Sequence, residues 1–104
     1  MATFLVTYHG GSGMPADPAA REQMMQAFMA WAAGVGDSMV DPGAPLGPPK
    51  VVTTDGVKDG EAGGTIGGYT VISAGSLDEA VDLVRGHPFV GRGGSLQVSE
   101  AVAP

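Results

Sequence analysis

The chain contains no cysteine among its 104 residues. This absence excludes disulfide bonds, thiolate ligands for a metal ion and a cysteine nucleophile. Nothing in such a composition requires an oxidising compartment, so we expect a cytoplasmic protein. The N-terminal segment also lacks basic residues, and its apolar run is too short for a secretion signal or a membrane span.

Basic residues are scarce as well. Lys and Arg number 5 against 11 Asp and Glu, which gives a formal net charge of −6. A chain of this charge has no basic stripe to neutralise phosphate groups, so binding to nucleic acid or to an anionic membrane is disfavoured. Apolar residues make up 43% and charged residues 15%, the reverse of a disordered composition. The length supports one domain spanning residues 1–104.

Hydrophobic periodicity predicts the first strand and the first helix. Phe4, Val6 and Tyr8 alternate on one face of a strand at 2–8. The following helix, at 18–35, has Asp17 as its N-cap residue. Its apolar positions recur at helical spacing and predict one core-facing stripe: Met24, Phe28, Trp31 and Val35.

A second helix is predicted at 76–85 by a capping box. The Ser76 hydroxyl can accept from the Glu79 amide, while the Glu79 carboxylate reaches back to the Ser76 amide. Pro88 cannot continue the helix. His87 is therefore expected at the helix terminus, where the charged imidazolium is favoured by the partial negative charge of the last carbonyls.

The complete element order is β-α-β-β-α-β, which predicts an α+β, ferredoxin-like antiparallel sheet with two helices on one face. The first and third strands are expected to lie side by side at its centre. Both faces of this sheet carry apolar residues, and an exposed apolar face favours pairing with a second copy, so we expect a homodimer. The remaining elements are strands at 38–41, 66–73 and 95–102, a short edge strand at 50–54 and a mobile hairpin tip at 55–64.

Two segments carry a resemblance to a known family. The runs Gly68-Tyr-Thr-Val-Ile-Ser-Ala-Gly-Ser-Leu-Asp-Glu-Ala-Val and His87-Pro-Phe-Val-Gly-Arg-Gly-Gly-Ser-Leu-Gln-Val resemble the C-terminal half of YCII-related domain proteins. The resemblance implies the dimeric α/β-barrel version of the ferredoxin-like fold, with a cleft between sheet and helices in each protomer.

The resemblance also implies a site, from which this sequence departs. Some members of the family carry a histidine on the first helix and an aspartate immediately before the proline of the motif that matches His87-Pro-Phe. Here the predicted first helix contains no histidine, and His87 stands at the aspartate position. The acid–base pair of the family therefore does not transfer as it stands.

The candidate site residues are the groups expected near the cleft. His87, His9 and Asp41 are the candidate catalytic residues, because imidazole exchanges protons near neutral pH and a carboxylate can orient it. Tyr8 and Trp31 are candidate substrate-binding residues. For His87 the alternative is a structural helix cap, and for Trp31 it is a place in the core.

Cofactor and metal motifs are weak. The run Gly11–Ala16 has the superficial form of a dinucleotide fingerprint, but its prolines delay the helix beyond reach of a pyrophosphate. Asp55, Asp59 and Glu61 lack the spacing of a calcium loop. We therefore expect no cofactor and no metal.

The sequence favours a small-molecule-binding protein with at most weak, lyase-like acid–base activity, and the alternative is a non-catalytic accessory or interaction module with a vestigial cleft.

Overall fold

The computed structural model describes residues 1–10 and 15–103, so most of the glycine-rich run with the dinucleotide-like pattern lies outside the described residues. The predicted ferredoxin-like α+β fold is confirmed. Its elements are β1 (Ala2–Gly10), α1 (Pro18–Val35), β2 (Met39–Pro45), β3 (Lys50–Thr53), β4 (Gly56–Asp59), β5 (Gly68–Ala74), α2 (Leu77–Val84) and β6 (Gly94–Glu100).

The main sheet has the strand order β2-β5-β1-β6, with antiparallel neighbours throughout. The prediction that the first and third predicted strands lie centrally and side by side is therefore confirmed, since they correspond to β1 and β5. Val6 stands opposite Thr70 on one side and Val98 on the other. Because paired residues in a sheet share a face, these three side chains point toward the helices.

The core lies between this face of the sheet and the two helices. Phe4, Val6 and Ile72 are fully buried there, together with Ala80 and Val84 of α2. The apolar stripe predicted on α1 is only partly in the core. Val35 is buried, whereas Met24, Phe28 and Trp31 are only partly buried, with Trp31 packed against the edge of the core.

The strand β2 is longer than the sequence predicted. We expected it to end at Asp41, because the residues that follow include several prolines. It continues to Pro45 because it is an edge strand with irregular register, where a proline can lack an inward hydrogen bond. Gly43 has φ of 76°, and a Cβ there would collide with the Tyr69 carbonyl, so the irregularity requires glycine.

The segment 55–64 also differs from the prediction of a mobile tip. Its first half forms β4, which pairs with β3 in a separate two-stranded sheet. An ion pair of 3.2 Å between Lys50 and Asp59 joins the open ends, while Val52 and Val57 are largely exposed. The turn therefore lies at 53–56, between the two strands. Across the described residues, no helix combines the length and hydropathy needed to cross a membrane.

Within residues 1–10 and 15–103, no helix covers the second face of the main sheet. Leu5 is 41% exposed there, beside the half-buried Tyr69 and Val71. The whole chain is correspondingly flat, with principal extents of 44 × 42 × 19 Å. Its radius of gyration of 15.0 Å exceeds the roughly 13 Å expected of a spherical domain of this length.

Candidate functional site

His87 is buried, with 5% of its surface exposed, three residues beyond the end of α2. Its backbone N–H donates to the Val84 carbonyl at 2.9 Å, which turns the chain inward at the end of the helix. The imidazole packs against three aromatic rings from two other elements, α1 and β1. Its ring centroid lies 4.4 Å from that of Trp31, 5.0 Å from that of Tyr8 and 5.7 Å from that of Phe28.

A chain of hydrogen bonds leads from His87 across the sheet to β2. His87 Nε2 lies 2.9 Å from the Tyr8 hydroxyl, and this hydroxyl lies 2.6 Å from Thr70 Oγ1. Thr70 in turn donates to the Pro42 carbonyl at 2.9 Å. On the other side of the ring, the Phe89 N–H donates to His87 Nδ1 at 3.0 Å. These hydrogen bonds thus connect the segment after α2 with β1, β5 and β2.

The direction of this chain is determined from both ends. A carbonyl only accepts, so Thr70 uses its proton on Pro42, and Tyr8 must donate to Thr70. The Tyr8 oxygen must then accept from His87 Nε2–H. Independently, the Phe89 amide needs an unprotonated Nδ1, which again places the single proton of the neutral imidazole on Nε2.

The pKa of His87 is lowered to about 4, mainly by burial and to a smaller extent by the positive charge of Arg92. The expectation that the helix terminus favours the imidazolium was therefore wrong, because burial disfavours the charged form of the ring. Burial also raises the pKa of Tyr8. Both groups are neutral near pH 7.

Trp31 and Phe89 complete the surroundings of this pair. The Trp31 indole donates to the Leu83 carbonyl at 2.8 Å, which fixes α1 against α2. The Phe89 and Tyr8 rings are tilted by 33° with their centroids 5.3 Å apart, and the Arg92 guanidinium lies over the Phe89 ring, 5.7 Å from its centroid. A Cβ on Gly94 would collide with the Phe89 ring, so this packing requires glycine at position 94.

The structure brings together only some of the candidate residues. Tyr8, Trp31 and His87 form one cluster. His9 points to the opposite face of β1, where its Nε2 lies 2.8 Å from Thr7 Oγ1. Asp41 is exposed at the sheet edge, and its Oδ1 accepts from the Gly43 N–H at 2.9 Å. Neither His9 nor Asp41 forms a hydrogen bond with His87 among the bonds of the described residues.

The sequence profile of the YCII-related domain matches residues 1–101. The chain belongs to the YCII-related domain family. A solved structure with the same fold is 5-chloro-2-hydroxyhydroquinone dehydrochlorinase (TftG) from Burkholderia phenoliruptrix AC1100, in complex with 2,5-dihydroxybenzoquinone. It superposes with a TM-score of 0.58 at 20% sequence identity, over 98% of this chain and 95% of the other. No curated protein matches the chain.

Sequence reasoning missed several residues of the cluster in this YCII-related chain. Thr70 carried a usable signal, because it alternates with Ile72 and Ala74 on the buried face of β5 and is a polar residue at a core position. Phe28 and Phe89 were assigned to a helix stripe and a motif rather than to a site. The Pro42 carbonyl carried no signal, since every residue has a carbonyl.

An apolar groove of about 450 Å³ lies between α2 and β6, and no residue of the aromatic cluster lines it. One charged residue, Arg85, and one polar residue, Ser95, line this groove. The Arg85 Nε lies 3.0 Å from Asp82 Oδ1. The apolar lining consists of Leu77, Val81, Val84, Val90, Gly94, Leu96 and Val98. Among residues 1–10 and 15–103, no group of three or more His, Asp or Glu side chains could hold a metal ion.

Proposed function

We propose that this YCII-related protein binds a small, flat, oxygenated ring compound at the cluster formed by His87, Tyr8, Trp31, Phe28 and Phe89. The observation that carries the proposal is the neutral His87–Tyr8 pair surrounded by aromatic rings. Ligand sites typically combine apolar and aromatic walls with a few fixed polar groups and a titratable residue of shifted pKa.

The aromatic residues support the choice of a flat ligand. Phe28, Trp31 and Phe89 keep part of their surface exposed, whereas His87 behind them is buried. Rings of this kind stack favourably on other π systems. The fold neighbour TftG was solved with 2,5-dihydroxybenzoquinone, a compound of the proposed class, which supports the proposal by likeness of fold alone.

Binding is the primary role we propose, and acid–base catalysis is secondary. Both nitrogens of His87 already take part in hydrogen bonds, so protonation at Nδ1 requires the bond from the Phe89 amide to break. A pKa of about 4 also makes the ring a weak base at neutral pH. Any lyase-like step therefore requires rearrangement around His87, and His9 and Asp41 of the same protomer do not assist it directly.

We further propose a cytoplasmic homodimer in which the uncovered sheet face is the interface. Leu5, Tyr69 and Val71 provide its apolar centre, and Thr7, only 8% exposed, lies among them. Faces of this type are covered in stable assemblies because an exposed apolar patch is unfavourable in water.

Fluorescence of Trp31, the single tryptophan, tests ligand binding directly. Titration with hydroquinone, catechol, resorcinol and 2,5-dihydroxybenzoquinone should change its emission saturably, and should shift the NMR signals of the His87 ring. Tyr8→Phe should weaken binding about three- to tenfold, because one hydrogen bond to the ligand is lost. The matched control is Tyr69→Phe, since Tyr69 lies on the opposite sheet face.

Equal affinity of the Tyr8→Phe and Tyr69→Phe variants would place the site elsewhere. If no compound of the panel alters either signal, the cluster is a structural core and the accessory-module alternative is preferred.

A further inference from the structure

The hydrogen bonds around His87 all point one way, and this direction restricts the ligand. We infer that the site selects ligands that present a hydrogen-bond donor, such as a phenol or enol hydroxyl, over acceptors of the same shape. The inference rests on the proposed function, because it concerns the same site. Thr70, joined to the Pro42 carbonyl, is the residue that determines this selectivity.

The first step is to assign each hydroxyl and ring proton in the series of hydrogen bonds to its acceptor. The Thr70 proton is used on Pro42, the Tyr8 proton on Thr70 and the Nε2 proton on Tyr8. The direction follows from the Pro42 carbonyl at one end and from the Phe89 amide at the other. No proton in the chain remains for a ligand.

The second step concerns access. Thr70 is 0% exposed and His87 5%, whereas Tyr8 retains partial exposure on the same face. The Tyr8 oxygen accepts one hydrogen bond, from His87, and a hydroxyl oxygen has a second lone pair. This lone pair can only accept. A ligand hydroxyl satisfies it, while a ligand carbonyl would place its own lone pairs against it.

The third step is the role of Thr70. If the Thr70 hydroxyl is removed, the Tyr8 proton loses its acceptor and becomes available to a ligand carbonyl. Thr70→Val should therefore remove the preference for donors, since the side chain keeps its shape but loses the oxygen. Thr70→Ser keeps the oxygen and should keep the preference.

Hydroquinone and 1,4-benzoquinone form the test pair, because both are flat six-membered rings with two oxygens, the first with donors and the second with acceptors alone. The chain has no cysteine for the quinone to alkylate. Under anaerobic conditions, we expect wild type and Thr70→Ser to bind hydroquinone about tenfold more tightly than the quinone, and Thr70→Val to show less than a twofold difference.

Two outcomes overturn the inference alone: binding of both compounds with equal affinity by wild type, or an unchanged preference in Thr70→Val. Failure of wild type to bind either compound, or any of the panel above, overturns the proposed function and the selectivity with it. The direction of the hydrogen bonds can also be tested without a ligand, by measuring the tautomer of His87 in ¹⁵N NMR spectra. The Nε2–H form is expected, and the Nδ1–H form would contradict the inference.

Discussion

A histidine inside a protein is tolerated when both ring nitrogens have partners, because an unpaired polar group away from water is unfavourable. His87 meets this condition with a backbone amide on one nitrogen and a tyrosine hydroxyl on the other. Its aromatic neighbours exclude water and leave no acidic group against the ring among the contacts described. His87 therefore favours its neutral form in the folded chain. Because the unfolded chain has no such preference, protonation of His87 lowers the free energy of unfolding.

Stability should fall as the pH decreases from about 6.5 to about 4. The pKa of His87 is about 4 in the folded chain and near 6.5 when unfolded, so the unfolded chain binds more protons within this range. The contribution is complete above pH 6.5 and is lost as the pH falls toward 4. It amounts to about 3 kcal/mol, by 1.36 kcal/mol per pKa unit. Urea unfolding at pH 7 and pH 4.5 measures it.

The control for this pH dependence is His87→Gln, whose side chain can donate and accept but does not titrate. The difference in unfolding free energy between wild type and His87→Gln should shrink at the lower pH. A difference that stays constant between pH 7 and pH 4.5 would mean that folding does not lower the pKa of His87.

At the residue scale, sequence position was enough to single out His87 but not its chemical state. Its place after a capped helix is a local pattern. The ring is neutral because it is buried. The residues that bury it include Tyr8, 79 positions away, which is bonded in turn to Thr70, 62 positions from Tyr8. Contacts of this separation arise only when the strands pair, so no local rule predicts them.

Among the elements, α2 shows how a local signal determines a boundary. Ser76 Oγ accepts from the Glu79 N–H at 3.2 Å, as predicted. The Glu79 carboxylate accepts from the Gly75 N–H at 2.9 Å rather than from Ser76, one residue earlier than a capping box requires. The Ser76 cap nevertheless fixes the start of α2. The turn that buries His87 follows at the other end of this helix.

Ser76→Ala should lower the free energy of unfolding by about 1 kcal/mol, because the Glu79 amide loses its acceptor. Thermal and urea unfolding measure the change. Ser76→Asp is the matched control, since aspartate also caps a helix and should unfold like wild type. If Ser76→Ala and Ser76→Asp unfold alike, the cap contributes nothing to stability.

The elements that sequence reasoning placed least well are the edge strand and the hairpin. Composition indicated loops at 42–49 and 55–64, because proline and glycine are poor residues for a central strand. β2 avoids this restriction at the sheet edge, and β4 needs only one partner, β3. Whether a strand is central or peripheral is a property of the complete sheet and is not encoded in its own residues.

At the scale of the whole molecule, adjacent positions on β5 belong to different environments. Ile72 is fully buried under the helices, whereas Val71 faces the uncovered side opposite Leu5. A charge at Ile72 disrupts the core of one protomer. A charge at Val71 would instead lie on the uncovered face that we propose as the dimer interface.

Val71→Asp should therefore produce a folded monomer, and Ile72→Asp an unfolded chain, since an unpaired charge inside the core is strongly unfavourable. Sedimentation equilibrium gives the mass, and circular dichroism reports folding. Val52→Asp is the control, because Val52 is 76% exposed on the β3–β4 hairpin and the variant should remain a dimer. A monomeric wild-type protein at micromolar concentration would contradict the proposed interface.

The flatness of the chain has a hydrodynamic consequence. A slab of 44 × 42 × 19 Å meets more friction from the solvent than a sphere of equal mass. Two slabs stacked through their uncovered sheet faces would double the short axis to about 38 Å, close to the other two extents. The pair would be nearly isotropic, so association would change an oblate particle into a rounded one, and the frictional ratio would fall as the mass doubles.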